Sequence, residues 1–524
     1  MASVLGMETF SDVASWSDGT SKDTGDLRRK YNFGDRVSEL AIAQDPFFRF
    51  VSKVAKKPTD DPEFKFTERR PSYHKRYAYV VAFTASGSKT TNDATLVDTS
   101  GASLTTSTGQ QVKLYLATDY KSSGNLGSSI GNSANDVQVG VTGTEPGFLM
   151  EDQILKVPLN NSTASAAEIT TVDVDDYILV RIDTVHAKEN SSYATYDTSD
   201  GAADSARSVY AIPVTGTIVK APAAASSTEL TSYVNNVPLG TSYHANIANV
   251  LEKMRCYIVG NAHAQGTGYP ETWKDQPFST GFGLTQIWKT AMAMDNTTRA
   301  TVLKYEPNEF ARIWREKLIE HKWDIETSLL FGSQASVDSV QYTQGAIDFV
   351  INYGNIFSGT GMGAEATTKS QDDFLDDMSQ FLDPRHNNAN ATLFMVPTDT
   401  YNWLHKLGGY FAANVTQAVN GRSNFEIGAK KNVFGVDIRQ IHTPYGNMNV
   451  ARNVHLDGTQ IKMLGCNMKY CKYRPLVGNG LNRDTAVYVG VQTLENSGVD
   501  RRVDLIQTEA GMEWQMPEAH AVWK

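Results

Sequence analysis

Glu306-Pro307-Asn308-Glu309-Phe310, continuing to Lys322-Trp323-Asp324-Ile325-Glu326-Thr327-Ser328-Leu329-Leu330-Phe331-Gly332, is the stretch from which the rest of the chain is organised. Phe310, Trp314, Leu318, Ile325 and Leu329 hold a stripe close to the 3.6-residue period, which predicts one helix over 307–331. Pro307 falls at a first-turn position, where its missing donor costs nothing, and acidic residues stand near the positive end of the dipole. Gly332 is expected to close the helix in a left-handed conformation. About 24 residues at 1.5 Å each make it roughly 36 Å long. His321, beside Trp314, Lys317 and Ile325, reads as a partly buried imidazole rather than a catalytic base.

Downstream, Ser370-Gln371-Asp372-Asp373 resembles a capping box opening a second helix, with Phe374, Met378, Phe381 and Leu382 on one face and Asp383-Pro384 at its end. A strand over 391–396 follows, then a third helix over 397–407 stopped at Gly408-Gly409. The remainder reads as strands and tight turns, with strands at 433–441, 461–464, 486–493, 503–508 and 512–516.

Upstream, residues 1 to about 30 are rich in Ser, Asp, Thr and Gly with one short apolar patch, as expected of an arm that leans on another subunit. The apolar residues from Val37 to Val54 predict short helical pieces broken at Asp45-Pro46. Glu63-Phe64-Lys65-Phe66-Thr67-Glu68 alternates with period two, the mark of a strand with one buried face. Arg69-Arg70-Pro71-Ser72-Tyr73-His74-Lys75-Arg76 is the most basic stretch of the chain. From Thr84 to Pro238 the composition turns to Ser, Thr, Gly, Asp, Asn and Ala, with short strands predicted at 111–116, 153–157, 177–182 and 209–214. This β-rich insertion has 8 Lys and Arg against 17 Asp and Glu, so most of the net negative charge sits there.

A chain of 524 residues that is 40% hydrophobic buries a large core, and its net charge of −10 repels a polyanion. Cys256, Cys466 and Cys471 are too few and too unevenly spaced for a disulfide framework. The first residues lack the basic region and apolar run of a signal peptide, and no apolar run is long enough to span a bilayer. No large leading segment is expected to be cut away during maturation.

No stretch supplies convincing chemistry. Gly127-Ser128-Ser129-Ile130-Gly131 matches a nucleophile elbow in letters, but its flanks offer neither the strand nor the helix that elbow needs. Gly359-Thr360-Gly361-Met362-Gly363 reads as a linker, and no Gly-Lys-Ser/Thr occurs. Cys466 and Cys471 have no second ligand pair for zinc, and His442 and His455 stand in unrelated turns. Asp173, Asp175 and Asp176 read as a solvated strand entry. We therefore expect no catalytic residue, no metal and no cofactor. Arg69, Arg70, Lys75 and Arg76 differ, because such a cluster in an acidic protein wants an anionic partner.

The order of elements resembles the major capsid proteins of tailed bacteriophages, in a divergent group with large β-rich insertions. The resemblance rests on three passages. One is Asp45-Pro46-Phe47-Phe48-Arg49-Phe50 with Lys56-Lys57 and 63–68; another is Gly283-Leu284-Thr285-Gln286-Ile287-Trp288 with 298–305 and the long helix. The third is Asp504-Leu505-Ile506-Gln507-Thr508-Glu509-Ala510-Gly511-Met512-Glu513-Trp514 with Ala519-His520-Ala521. It implies an α+β fold of N-terminal arm and lead-in (1–66), the start of an extended loop (67–84), the insertion (85–240), a peripheral domain with a spine helix (241–340), and an axial domain with closing strands (341–524). It also implies a noncovalent icosahedral shell of hexamers and pentamers around double-stranded DNA, bound without sequence specificity and with no membrane. Scaffold, portal and decoration proteins are the further partners implied, and synthesis would be in the host bacterial cytoplasm. Arg69, Arg70, Lys75 and Arg76 would then reach a neighbour's acidic surface, with Glu309, Glu316 and Glu320 as acceptors. The competing reading is a glycan-binding or carbohydrate-active surface protein, offering Tyr177, Tyr193, Tyr196 and Tyr210 to sugars.

Overall fold

The computed structural model describes residues 45–69, 76–85, 88–90, 94–95, 109–118, 145–159, 177–193, 207–220, 229–230, 255–270, 278–302, 308–363, 369–382, 392–414, 426–433 and 436–524. Helix α1 (Pro46–Val54) opens with its proline at the first turn and buries Phe47 and Val51. Strand β1 (Glu63–Glu68) keeps the alternation read from the sequence, with Phe64 buried.

The six longest strands that follow, up to Asn261, are β2 (Tyr77–Ala85), β3 (Gln111–Ala117), β4 (Gln153–Pro158), β5 (Tyr177–Val185), β6 (Arg207–Lys220) and β7 (Cys256–Asn261). They neighbour one another in the order β7-β4-β5-β6-β3-β2, and β7 also pairs with β2, Cys256 opposite Ala78. The sheet therefore closes on itself as an antiparallel barrel. Alternate residues point inward and fill it with Phe83, Leu114, Leu116, Leu155, Val180 and Val214. At Gly216 a β-carbon would lie 2.4 Å from Val180 Cγ1, so the staves approach as closely as they do only without a side chain there. Of residues 67–84, Glu68 ends β1 and 77–84 form a stave of this barrel. Cys256–Asn261, beyond the insertion bounds drawn from composition, is another stave.

Strand β8 (Ser279–Leu284) pairs with β1 as a two-stranded ribbon in which Glu68 faces Ser279. The barrel thus hangs from the open end of the ribbon. Strand β9 (Gln286–Asp295) leads to the long helix α2 (Glu309–Phe331), which is 23 residues and about 34 Å. Helix α3 (Ala346–Tyr353), β10 (Asn355–Phe357), α4 (Gln371–Phe381), β11 (Thr392–Val396) and α5 (Thr398–Asn414) come next. Then follow β12 (Glu426–Val433), β13 (Val436–Thr443), β14 (Gly446–Arg452), β15 (Met463–Asn467), β16 (Cys471–Pro475), β17 (Ala486–Gln492), β18 (Arg501–Trp514) and β19 (Ala521–Trp523).

These strands make two sheets. In the first, β18 pairs with β9 along ten residues and with both β16 and β17 on its other side. Helix α2 lies on this sheet, where Trp288 Nε1 donates to Ser328 Oγ at 3.0 Å. The second has the order β10-β19-β15-β11-β14-β13-β12. Strand β11 runs through its middle, buried throughout, with Leu393 and Met395 in the core under α2 and Phe394 and Val396 in a second core with α4 and α5. Trp523 of β19 is fully buried in that second core, stacked on Phe357 at 4.9 Å.

Several local expectations change. Asn308, not a proline, caps α2, its side chain accepting from Ala311 N–H; Pro307 lies outside the described residues. Gly332 is extended at φ −62°, ψ 151°, and what demands glycine there is space, since a β-carbon would meet Ser328 O at 2.5 Å. Helix α5 runs through Gly408-Gly409 to Asn414, a propensity cost of about 1 kcal/mol each that the continuing helix absorbs. The strand expected over 433–441 is divided between β12 and β13, and those expected at 503–508 and 512–516 are one strand, β18. Ser370 caps α4 as expected, accepting from Asp373 N–H at 3.1 Å.

Candidate assembly interface

The two halves of α2 are built differently. The half nearest the core buries His321, Ile325, Glu326, Leu329 and Leu330. Before His321 no residue of the helix is fully buried, and Phe310, Ile313, Trp314, Leu318 and Ile319 stay half-buried. The charges on this half are satisfied within the helix. Arg312 engages Glu309 and Glu316, with Nε to Glu309 Oε2 at 3.1 Å, and Lys317 Nζ reaches Glu320 at 2.5 Å. The Arg312 hydrogen bond holds Glu309 below the usual carboxylate range. Glu309, Glu316 and Glu320 therefore already have cationic partners three or four positions away, a spacing the sequence displays.

In the inner half, Glu326 is buried and acts across the fold. Its carboxylate accepts from Phe47 N–H at 3.1 Å, Phe48 N–H at 2.6 Å and Asn453 Nδ2 at 2.8 Å. It thereby caps the first turn of α1, where unpaired N–H groups and the helix dipole favour an anion. Burial pushes its pKa up to about 7 against those three donors. His321 is fully buried between Thr290 Oγ1 and Thr508 Oγ1, each at 2.8 Å, and burial lowers its pKa. It links α2 to β9 and β18.

The ribbon is anchored at its base. Phe64 packs where Gly283 leaves room, a β-carbon there falling 2.4 Å from the ring, and Arg474 sits 5.0 Å over the same ring while its Nη1 donates to Glu513 at 2.8 Å. Further out Phe278 and Phe282 are exposed, and Arg69 lies 5.7 Å over Phe278. Arg76 is exposed at the mouth of the barrel, whereas Arg70 and Lys75 lie outside the described residues. Among the described residues no ion pair within the subunit joins Arg69 or Arg76 to Glu309, Glu316 or Glu320, whose partners are Arg312 and Lys317.

Strand β17 is a sheet edge. It pairs with β18 on one side, and among the described residues no strand pairs with its other side. Val487, Tyr488, Val489 and Val491 are exposed, Val489 to 65%. Gly490, at φ +68°, bends the strand and gives its N–H to the buried Asp504 at 2.7 Å.

The other candidate residues that the structure describes make contacts within the subunit. Tyr177 has Lys156 Nζ 3.9 Å and Lys220 Nζ 4.2 Å from its ring centre, and its hydroxyl accepts from Lys220 Nζ at 2.7 Å. The side chains of Tyr193, Tyr196 and Tyr210 lie outside the described residues, as do Gly127–Gly131 and Asp173, Asp175 and Asp176. His442 Nδ1 meets Asn447 at 2.6 Å, and His455 stands edge-on to Trp323 at 4.8 Å. Cys256 is pushed up to about 12 by burial, and burial also raises Cys471. Among the described residues no three His, Cys, Asp or Glu gather as a metal site, and no helix is long and apolar enough to cross a membrane.

A ribbon carrying a closed barrel, a half-uncovered helix and an apolar free edge define a self-assembling structural protein. The SU10 major capsid protein family matches residues 22–524, and the chain belongs to that family. It forms a capsid shell. Solved structures similar to part of it include the capsid of an empty GTA particle (9% identity, 51% of this chain and 80% of that one, TM-score 0.32). Bacteriophage PhiM1 mature capsid (10%, 51% and 78%, TM-score 0.31) and Microbacterium phage Oxtober96 (12%, 50% and 80%, TM-score 0.33) are others. None of the curated proteins matches it.

Proposed function

We propose that this subunit closes with copies of itself, as hexamers and pentamers, into an icosahedral head that encloses double-stranded DNA. The observation that carries this reading is the free apolar edge of β17. An unpaired edge is a template for another chain, and a soluble monomer has no reason to keep Val487, Val489 and Val491 in water together. The half-uncovered part of α2 and the exposed Phe278 and Phe282 on the ribbon extend the surface available to neighbours.

Arg69, Arg70, Lys75 and Arg76 are proposed to meet a neighbour's acids. If Glu309, Glu316 and Glu320 receive them, they must share those carboxylates with Arg312 and Lys317. The unit from β2 to β7 is proposed as an outward domain, since its acidic polar loops suit solvent. Contact with the genome would be sequence-independent and slight for a chain of charge −10. Scaffold, portal and decoration proteins are the proposed further partners, synthesis is proposed in the host bacterial cytoplasm, and no catalysis or cofactor is invoked.

Negative-stain electron microscopy of the purified protein tests the reading. Closed shells, rings or tubes are expected. A uniform small oligomer across salt and concentration, persisting when scaffold is co-expressed, would overturn it.

A further inference from the structure

Beside α1 lies a groove of about 930 Å³ that the described chain leaves open. Its floor is apolar, made by Phe50 and Val54 of α1 with Val433, Ile438 and Met468. Its rim carries Lys56, Lys57, Lys431, Lys469 and Lys472, and among the described residues no carboxylate lines it, in a chain whose net charge is −10. Lys56 is held by Asp484, and Lys472 lies 3.5 Å from Glu513. Lys57, Lys431 and Lys469 are exposed, with no ion pair among the described residues. Apolar floor and cationic rim together select an occupant that is apolar and acidic at once.

Ahead of α1 the chain carries such a segment that is free of Lys and Arg: Met7-Glu8-Thr9-Phe10-Ser11-Asp12-Val13-Ala14-Ser15-Trp16-Ser17-Asp18. Met7, Phe10, Val13 and Trp16 recur every third residue among Glu8, Asp12 and Asp18, and no Lys or Arg precedes Lys22. The acidic face of α4, with Asp372, Asp373 and Asp376 exposed, would suit the rim but brings no exposed large apolar side chain for the floor.

We propose that residues 7–18 dock in this groove of their own subunit, their apolar side chains on the floor and their carboxylates on Lys57, Lys431 and Lys469. Reach permits it, because the chain from Asp18 to Asp45 can extend about 90 Å and α1, which follows, forms one wall of the groove. Tethering favours the same subunit, since a segment on a flexible connection has an effective concentration of order millimolar. This places the arm on its own subunit, whereas the sequence reading assigned it to a neighbour.

The test uses the full chain with Phe10 replaced by the photo-crosslinker p-benzoyl-phenylalanine. Illumination is expected to give a product of monomer mass, with crosslinked peptides containing Val54, Val433, Ile438 or Met468. The triple variant K57E/K431E/K469E, whose sites are all exposed, is expected to lower the yield about five- to tenfold at low salt. Adding E8K/D12K/D18K to it should restore the yield. Circular dichroism of each variant shows whether the fold is kept. Crosslinks outside the groove, crosslinks to the groove of a second copy, or a yield indifferent to all the charge reversals would overturn the proposal.

Discussion

The barrel and the body solve the same problem of sheet edges in opposite ways. In the barrel β7 returns to β2, Cys256 and Tyr257 opposite Ala78 and Tyr77, so among the described residues every stave has two neighbouring strands. In the body, β17 keeps one side unpaired, with Val487, Val489 and Val491 in water. A closed unit has no means of adding strands, whereas an open edge invites them. The contrast supports the proposal that shell contacts are made by the body, with the barrel a module hung on the ribbon.

The sharpest break of that comparison is Val489→Lys, which charges the free edge. Its expected outcome is a folded subunit with an unchanged melt and no shells by electron microscopy; shells of normal yield would remove β17 from the contact. Next come paired core truncations. Trp523→Ala, in the second body core, should cost about 4 kcal/mol, and Leu116→Ala, inside the barrel, about 3 kcal/mol. If the two regions are independent, denaturant unfolding followed by hydrogen exchange will show each loss confined to its own region. Loss of protection in both regions from either change would make them one cooperative unit.

A third prediction concerns pH within the body. Burial pushes the Glu326 carboxyl up to about 7 in the folded state, against its ordinary value of 4.5 in the unfolded chain. Between those values the folded state holds a proton that the unfolded state has released, so stability falls as pH rises across that window and levels off above about 7. The span corresponds to roughly 3 kcal/mol. Denaturation midpoints at several pH values should therefore fall less steeply in Glu326→Gln than in wild type, with no such difference expected from any barrel substitution. Parallel slopes in the two proteins would remove Glu326 as the source.

Smaller again is Gly283→Ala, which pushes a β-carbon into the Phe64 ring and should cost about 2 kcal/mol at the ribbon base. The accompanying loss of hydrogen-exchange protection is expected in 63–68 and 279–284. The smallest effect is expected from Arg312→Ala, which frees the partly exposed Glu309 and Glu316 and should barely move the melt. It should also raise the Glu309 ionisation towards its ordinary value, measurable by NMR titration.

Much of the chain was legible locally. The apolar stripe of α2, the alternation of β1, the Ser370 cap and four of the six barrel staves follow from side-chain period and capping chemistry within a few residues. The ion pairs of Glu309, Glu316 and Glu320 were also displayed by their spacing to Arg312 and Lys317, but charge alone read them as open acceptors. Gly332 misled because glycine at a helix end usually serves φ, while here it serves contact with Ser328 and Thr343.

By itself, the sequence determined the long helix, the alternation of β1, four of the barrel staves, the acidic insertion and the order that matches a capsid protein. Only the tertiary structure decided the closure of β7 on β2, the pairing of β9 with β18 more than 200 residues away, the insertion of β19 between β10 and β15, and Glu326 as the cap of α1. The physical reason is range. Propensity and period act between neighbours along the chain, but barrel closure, strand pairing and the satisfaction of a buried carboxylate depend on groups that meet only after the chain has folded.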